Sequence, residues 1–325
     1  MQEELPRQAL VGQPDVAAVW GHHTLLLVFT GLWGANFILA EVALREMTPI
    51  AFSVSRFAMA AVAMMVIIYF QMRRAGHRMF PAIARQDRAR LVLVSVLGAL
   101  LAPWLGIEGL ALSTGARASL WLALGPVMSV AFGLLMRTER VGPVGYLGIA
   151  LAMLGSVLLA MDGFRSSTNY WSGDVLLFMA LLAAVAELHV IKPLASRYGP
   201  APIVAMRTAI GCGLYMLIAS PALIDQPWFA LGAWTWIAIV IGGAIGIGAG
   251  QWVKVRALDA IGPTRVILYG NLVPVAALVL AWLALGSAPS LLETLAAMLI
   301  VLGAVSLQVR ESRILRTFAA TESTI

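Results

Sequence analysis

Four ionisable residues, Glu41, Arg56, Glu187 and Arg207, stand inside or at the ends of long apolar stretches of this sequence. A charge at the centre of a bilayer costs about 2.5–3.5 kcal/mol on insertion scales, so each of the four needs a partner. Their depths predict two pairs, Glu41 with Arg56 toward one face and Glu187 with Arg207 toward the other. Such pairs can be fixed ties between helices, or contacts that break alternately and gate a path from either side. A proton relay through Glu187 and His189 is a weaker third reading, because it has a single imidazole to work with. Glu108 either meets a substrate amine or faces Arg117 and water.

A second group is aromatic. Trp33, Trp104, Trp121, Trp252 and Tyr269 sit within the apolar stretches, whereas Trp20, Trp171, Trp228, Trp234 and Trp236 sit where interface belts form. The inner rings either pack helices or line a pocket. As a lining they favour a flat apolar ligand group by stacking and a cationic one by cation–π attraction.

Other chemistries lack their residues. There is no G-x-x-x-x-G-K-[ST] loop for nucleotide phosphates and no H-E-x-x-H, and His22, His23, His77 and His189 are scattered. A single cysteine, Cys212, makes no internal disulfide and reads as a small buried residue. The spacing suggests no Ser-His-acid set. The expectation is a chain without metal or cofactor, and not an enzyme.

The elements that must position these residues are membrane helices. The chain is 61% hydrophobic and 12% charged, against about 25% charged in soluble domains. Ten apolar runs near 24–43, 49–70, 91–111, 116–136, 142–161, 173–191, 200–220, 233–253, 266–285 and 290–309 approach the roughly 20 residues a spanning helix needs. They are too long and continuous for barrel strands. Residues 1–23 lack the pattern of a signal peptide and read as a soluble tail, as do 310–325.

Ten spans put both tails on one side. Arg45, Arg117 and Arg165 fall at the opposite side and Arg56 and Arg207 inside runs, leaving 17 of the 22 Lys and Arg on the side of the tails. The positive-inside rule predicts that this side is cytoplasmic. The net charge of +6 is therefore a topology signal and does not point to nucleic acid. The basic loop at 71–90 serves as an anchor, with lipid headgroups as a lesser partner.

The chain also repeats. At an offset of 148, "WLGIEGLALSTGARASLWLALGPV" (104–127) lies over "WVKVRALDAIGPTRVILYGNLVPV" (252–275), matching Trp104 to Trp252, Arg117 to Arg265 and Pro126 to Pro274. At an offset of 151, residues 45–60 lie over 196–211, matching Pro49 to Pro200 and Arg56 to Arg207. Two five-helix halves follow, at 24–161 and 173–309. Five is odd, so the halves cross the membrane in opposite senses, the inverted-repeat plan of many secondary transporters. Pro126 and Pro274 each remove a backbone donor in mid-run, which predicts equivalent bends beside a cavity, with Asn271 as a polar contact. Glycines four apart, Gly242, Gly246 and Gly250, with an echo at Gly98, Ala102 and Gly106, predict close helix packing.

The order of "GLWGANFILAEVAL", "SRFAMAA" and "ALSTGARASLWLALGPV" within a five-plus-five plan resembles the EamA-domain proteins of the drug/metabolite transporter superfamily, over residues 24–309. Within it, general similarity is greatest to the YddG-type aromatic amino acid exporters. The sixth run departs from the pattern: "LLAAVAELHVIKPLA" stands where the first half has its W-G-x-N opening.

The resemblance implies an all-α bacterial inner-membrane protein with cytoplasmic termini, exporting amino acids and similar small metabolites by alternating access. It also implies a central cavity between helices one, three, four, six, eight and nine. On that plan Trp33, Asn36, Trp104, Trp121, Gln251, Trp252, Tyr269 and Asn271 line the cavity, and Pro126 and Pro274 shape it. The expected partners are a small-molecule substrate and the bilayer, for a monomer. Rival readings are a multidrug or nucleotide-sugar carrier of the same plan, an integral-membrane enzyme and a scaffold.

Overall fold

A computed structural model describes residues 16–306, apart from 77–78, 114–120, 123, 137–141, 161–169, 271, 286–290, 293 and 304–305. Asn271, Arg117 and most of both tails lie outside these residues. Asn36, Glu41 and Pro274 lie on described helices, but the description does not extend to their side chains.

All regular structure among the described residues is helical. The helices are α1 (Val16–Ala43), α2 (Pro49–Ala75), α3 (Arg85–Ala111), α4 (Gly125–Leu135), α5 (Pro143–Ala160) and α6 (Trp171–Tyr198). They continue with α7 (Pro200–Ile224), α8 (233–261), α9 (Pro263–Gly270), α10 (Val273–Leu285) and α11 (Thr294–Gly303). Five of them, α2, α3, α6, α7 and α8, are long and apolar enough to cross a membrane, and shorter apolar helices accompany them.

Local chemistry sets the boundaries. Thr48 caps α2 by accepting the Ala51 amide at 3.4 Å, Pro49 follows in the first turn, and Gly76 closes the helix at φ 66°. A positive-φ glycine and then a proline end one helix and start the next at Gly199-Pro200 and again at Gly262-Pro263. Both hairpins are therefore reduced to a single linking residue.

Packing relies on small residues, as expected where lipid removes the hydrophobic drive between helices. Helix α2 lies against α7 and against the middle of α8, α3 and α4 lie against α6, and α1 lies against α8 and α10. A side chain at Gly155 or Gly303 would collide with α11 or α5 backbone at 2.6 Å and 2.5 Å, so those two helices meet backbone to backbone.

Both α3 and α8 contain a π turn, at Leu97–Leu101 and Gly242–Ala249. Adding the repeat offset of 148 to 97–101 gives 245–249, inside the second turn. The i→i+5 bonding of a π turn changes which residues share a face. On α8, Gly243 lies against the Arg56 carbonyl and Gly248 against that of Ala60, both on α2, while Gly250 lies against the Phe29 ring of α1.

Candidate functional site

Runs four and nine are interrupted at the same repeat position. The Leu124 amide bonds the Trp121 carbonyl at 3.1 Å and the Met128 amide bonds Leu124 at 2.9 Å; the Leu272 amide bonds Tyr269 at 3.1 Å and the Ala276 amide bonds Leu272 at 2.9 Å. Adding 148 to 121, 124 and 128 gives 269, 272 and 276. Pro126 is buried in the first turn of α4, which begins at Gly125, and α10 begins at Val273, one residue before Pro274. A proline there loses no helical bond, because first-turn amides have no intrahelical acceptor. The half-helices meet the partner run closely: a methyl group on Gly125 would lie 2.8 Å from the Ile267 side chain of α9.

The residues just before each break make matching side-chain bonds. The Trp121 indole N–H donates to Asp174 Oδ1 of α6 at 3.3 Å, with its ring 5.5 Å from Phe178, and Ser113 also donates to that oxygen at 3.3 Å. The Tyr269 hydroxyl pairs with His23 Nδ1 of α1 at 2.6 Å, and the Tyr269 carbonyl accepts from Thr30 at 3.3 Å. Trp121 and Tyr269 are 148 apart, and His23 and Asp174 are 151 apart, so one contact occurs twice.

The other candidate rings do not join them at one place. Trp33 packs 5.2 Å from Phe29, beside Phe57, Ala99 and Cys212. Trp104 packs with Val54 and Tyr215 at the α2–α7 seam. Trp252 lines a groove of about 710 Å³ with Gln71, Met72, Tyr198 and Arg256, and the Arg256 guanidinium lies 5.8 Å from its ring centre. Gln251, on the same helix, is buried, and its Oε1 has no hydrogen-bond partner among the described residues.

Charge is concentrated between α6, α7 and α8. Arg207 Nη1 lies 2.6 Å from Glu187 Oε1, with both side chains essentially buried, and Lys254 Nζ stands 4.0 Å from Glu187 Oε2. Gly98, in the π turn of α3, makes room for the pair: an added methyl would be 2.5 Å from Arg207 Nη1 and 2.5 Å from Glu187 Cγ. Beside it, Ser129 bonds His189 Nε2 at 3.0 Å, and Phe132 stacks on that imidazole. Arg56, the repeat counterpart of Arg207, lies over the Phe52 ring at 5.0 Å. Its Nε has no hydrogen-bond partner among the described residues.

Each end of the bundle carries a carboxylate tie that the sequence pattern alone does not single out. Glu46, on the α1–α2 turn, accepts from the Gly232 amide at 2.8 Å and the Thr235 hydroxyl at 2.6 Å, and its backbone carbonyl accepts from Gln226. The Thr235 hydroxyl, and secondarily the Gly232 amide, hold the Glu46 carboxyl below its ordinary value. At the other end Asp87 binds Arg197 at 2.6 Å and accepts from the Tyr198 hydroxyl at 2.7 Å, while the Ala84 amide donates to Tyr198. The offsets carry Glu46 to Arg197, Ala84 to Gly232 and Asp87 to Thr235, so the two ties occupy repeat-matched positions. Lys254, counted in the sequence as one more topology charge, was missed because its carboxylate lies on another helix.

Comparison with known proteins adds four findings. The profile of the EamA-like transporter family matches residues 21–161 and again 171–308. The uncharacterized transporters YyaM and YdfC of Bacillus subtilis (strain 168) are 22% and 26% identical to this chain, each over 86% of it and over 91% and 88% of their own lengths. The spermidine export protein MdtI of Photorhabdus laumondii is 39% identical over 71 residues, 22% of this chain and 63% of its own. A protein of known crystal structure, 18% identical, shares the fold over 89% of this chain and 98% of its own, with a TM-score of 0.69.

Proposed function

This chain belongs to the EamA-like transporter family, a multi-pass membrane family that moves small molecules, and from that premise we propose a ten-span secondary transporter built as two inverted five-helix repeats. Its substrates are small amphipathic metabolites, with amino acids, aromatic ones included, as first choice. The observation that carries this reading is the doubled break at 121–128 and 269–276. Discontinuous helices at repeat-matched positions are how inverted-repeat transporters expose backbone groups and half-helix dipoles to a midplane ligand. Trp121 and Tyr269 border this region and Pro126 and Pro274 start the half-helices; Trp33, Asn36 and Asn271 are kept from the sequence reading as proposed ligand contacts. Trp104, Gln251 and Trp252 line its approaches from α3 and α8.

The positive-inside count supports a cytoplasmic position for the end with the basic 71–90 loop, in what we take to be a bacterial inner membrane. At that end residues Gly250–Ile261 of α8 pack on α6 and α7, and at the other end Ala102–Ala111 of α3 pack on α2 and α6. Alternation follows because each repeat can adopt its twin's conformation.

A second reading, polyamine export, draws on the relative named for spermidine. Against it stand Arg207 and Lys254, which outnumber Glu187 at the buried cluster and repel a polycation. The deciding experiment is flux of labelled phenylalanine, tryptophan, threonine, glutamate and spermidine in proteoliposomes, with and without a proton gradient, against protein-free vesicles. Protein-dependent flux of the amino acids is the expected result; flux of spermidine alone would replace this reading with the second, and no flux of either would discard both.

A further inference from the structure

The buried cluster between α6, α7 and α8 holds two cations against one carboxylate. Glu187 Oε1 is taken by Arg207, leaving Lys254 with a 4.0 Å approach to Oε2, too long for a hydrogen bond. Lys254 makes no hydrogen bond among the described residues, although an ammonium has three donors. One turn earlier on the same face of α8, the buried Gln251 Oε1 is an acceptor without a donor. Arg207 is fully buried, with Nε and Nη2 likewise without partners, whereas the Lys254 side chain keeps 19% of its surface exposed. Unmet donors and an unmet acceptor within one turn of helix describe a ligand that brings an anion and an N–H donor together.

We propose that Lys254 binds the carboxylate of the substrate and that Gln251 Oε1 accepts from its ammonium, with Glu187 as the counter-ion of Lys254 when the site is empty. This rests on the amino acid reading above and specifies its site. The charges select for the acid: a carboxylate neutralises the excess cation, and an amide or a polyamine leaves it unpaired. Binding also has a mechanical consequence, because Lys254 on α8 reaches Glu187 on α6. A carboxylate that captures Lys254 weakens the bridge that closes this end.

The test is competition binding to purified full-length protein with phenylalanine, phenylalaninamide and phenylacetate, for wild type, Lys254→Gln, Lys254→Arg and Gln251→Leu. Wild type is expected to prefer phenylalanine over its amide by about tenfold or more, the scale of one hydrogen bond to a charged group. Lys254→Gln brings that ratio near one, and Lys254→Arg keeps it. Gln251→Leu weakens phenylalanine but leaves phenylacetate unchanged. Because Gln251→Leu retains the whole charge cluster, it tests the site even if Lys254→Gln does not fold. An unchanged acid-to-amide ratio in Lys254→Gln, or equal effects of Gln251→Leu on phenylalanine and phenylacetate, overturns the site and leaves the transport reading standing. Lys254-dependent binding of phenylacetate without binding of phenylalanine keeps the site and overturns the amino acid reading. No binding of either acid overturns both.

Discussion

Gly98→Ala is the most direct probe of the charge cluster, because it adds one methyl group where the structure has no room. That methyl would sit 2.5 Å from Arg207 Nη1, 2.5 Å from Glu187 Cγ and 2.7 Å from Glu187 Cδ, whereas ordinary carbon contacts are about 3.5–4.0 Å. The pair must move by about 1 Å. Neither side chain can swing into solvent, since both are buried and joined at 2.6 Å. Overpacking of this kind costs about 1–3 kcal/mol, and separation of a buried pair costs about 3–5 kcal/mol. Alanine's better helix propensity returns up to about 1 kcal/mol. The net expectation is a loss of about 0–3 kcal/mol if the pair bends and about 2–5 kcal/mol if it parts. Gly213→Ala is the control, because its methyl meets nothing within 4 Å in the middle of α7; it should be neutral or slightly stabilising. Thermal unfolding in detergent beside proteoliposome flux reads both effects. If Gly98→Ala matches Gly213→Ala in stability and flux, Gly98 does not hold the space for the ion pair and the packing argument fails.

Three further outcomes follow from the ends and the breaks. Because the folded-state value of Glu46 is lowered from 4.5, its tie to Thr235 and Gly232 is complete above that pH and is lost as pH falls through the lower folded value. Wild type should therefore melt above Glu46→Gln at neutral pH and converge with it in acid; curves that never converge would show that the carboxylate charge is not what strengthens this tie. Asp87→Asn, at the opposite end, should lower the melting temperature by weakening the bonds to Arg197 and Tyr198, and Tyr198→Phe should lower it less, as measured by the same melts. The double replacement Pro126→Ala with Pro274→Ala should fold with unchanged helix content by circular dichroism but lose flux. Unchanged flux would mean that the breaks are packing features alone.

Much of the helical framework is legible in the sequence, because an apolar run of about 20 residues matches the length of a membrane-spanning helix and little else. So are the repeat positions of Pro126 and Pro274. The π turns are not. They change hydrogen-bond register without changing composition, so the contacts of Gly243 and Gly248 with α2, five residues apart, do not follow from the sequence pattern. The prolines are visible, but that they start half-helices follows only from the Leu124 and Leu272 bonds. The aromatic residues mislead in a different way. Trp104 and Trp252 occupy matching repeat positions, yet one packs at the α2–α7 seam and the other lines an end groove. Depth in the membrane is encoded by position along a run, but the direction a ring faces is not.

The repeat-matched contacts also bear on which parts would move. His23–Tyr269, Asp174–Trp121, Glu46–Thr235 and Asp87–Arg197 each join a residue of the first half of the chain to one of the second. A sequence half is therefore a poor candidate for a rigid unit. The contacts group α1 and the α1–α2 turn with α8, α9 and α10, and group α6 with α3 and α4. Between these groups Lys254–Glu187 is a crossing pair, from α8 to α6. Its repeat counterparts are positions 106 and 36, a glycine and an asparagine, which form no ion pair. This bridge therefore has no ion pair at its repeat-matched positions. A rocking motion that opened the end carrying Lys254 would have to part an ion pair in low dielectric. A ligand carboxylate that replaces Glu187 as the partner of Lys254 would remove that cost.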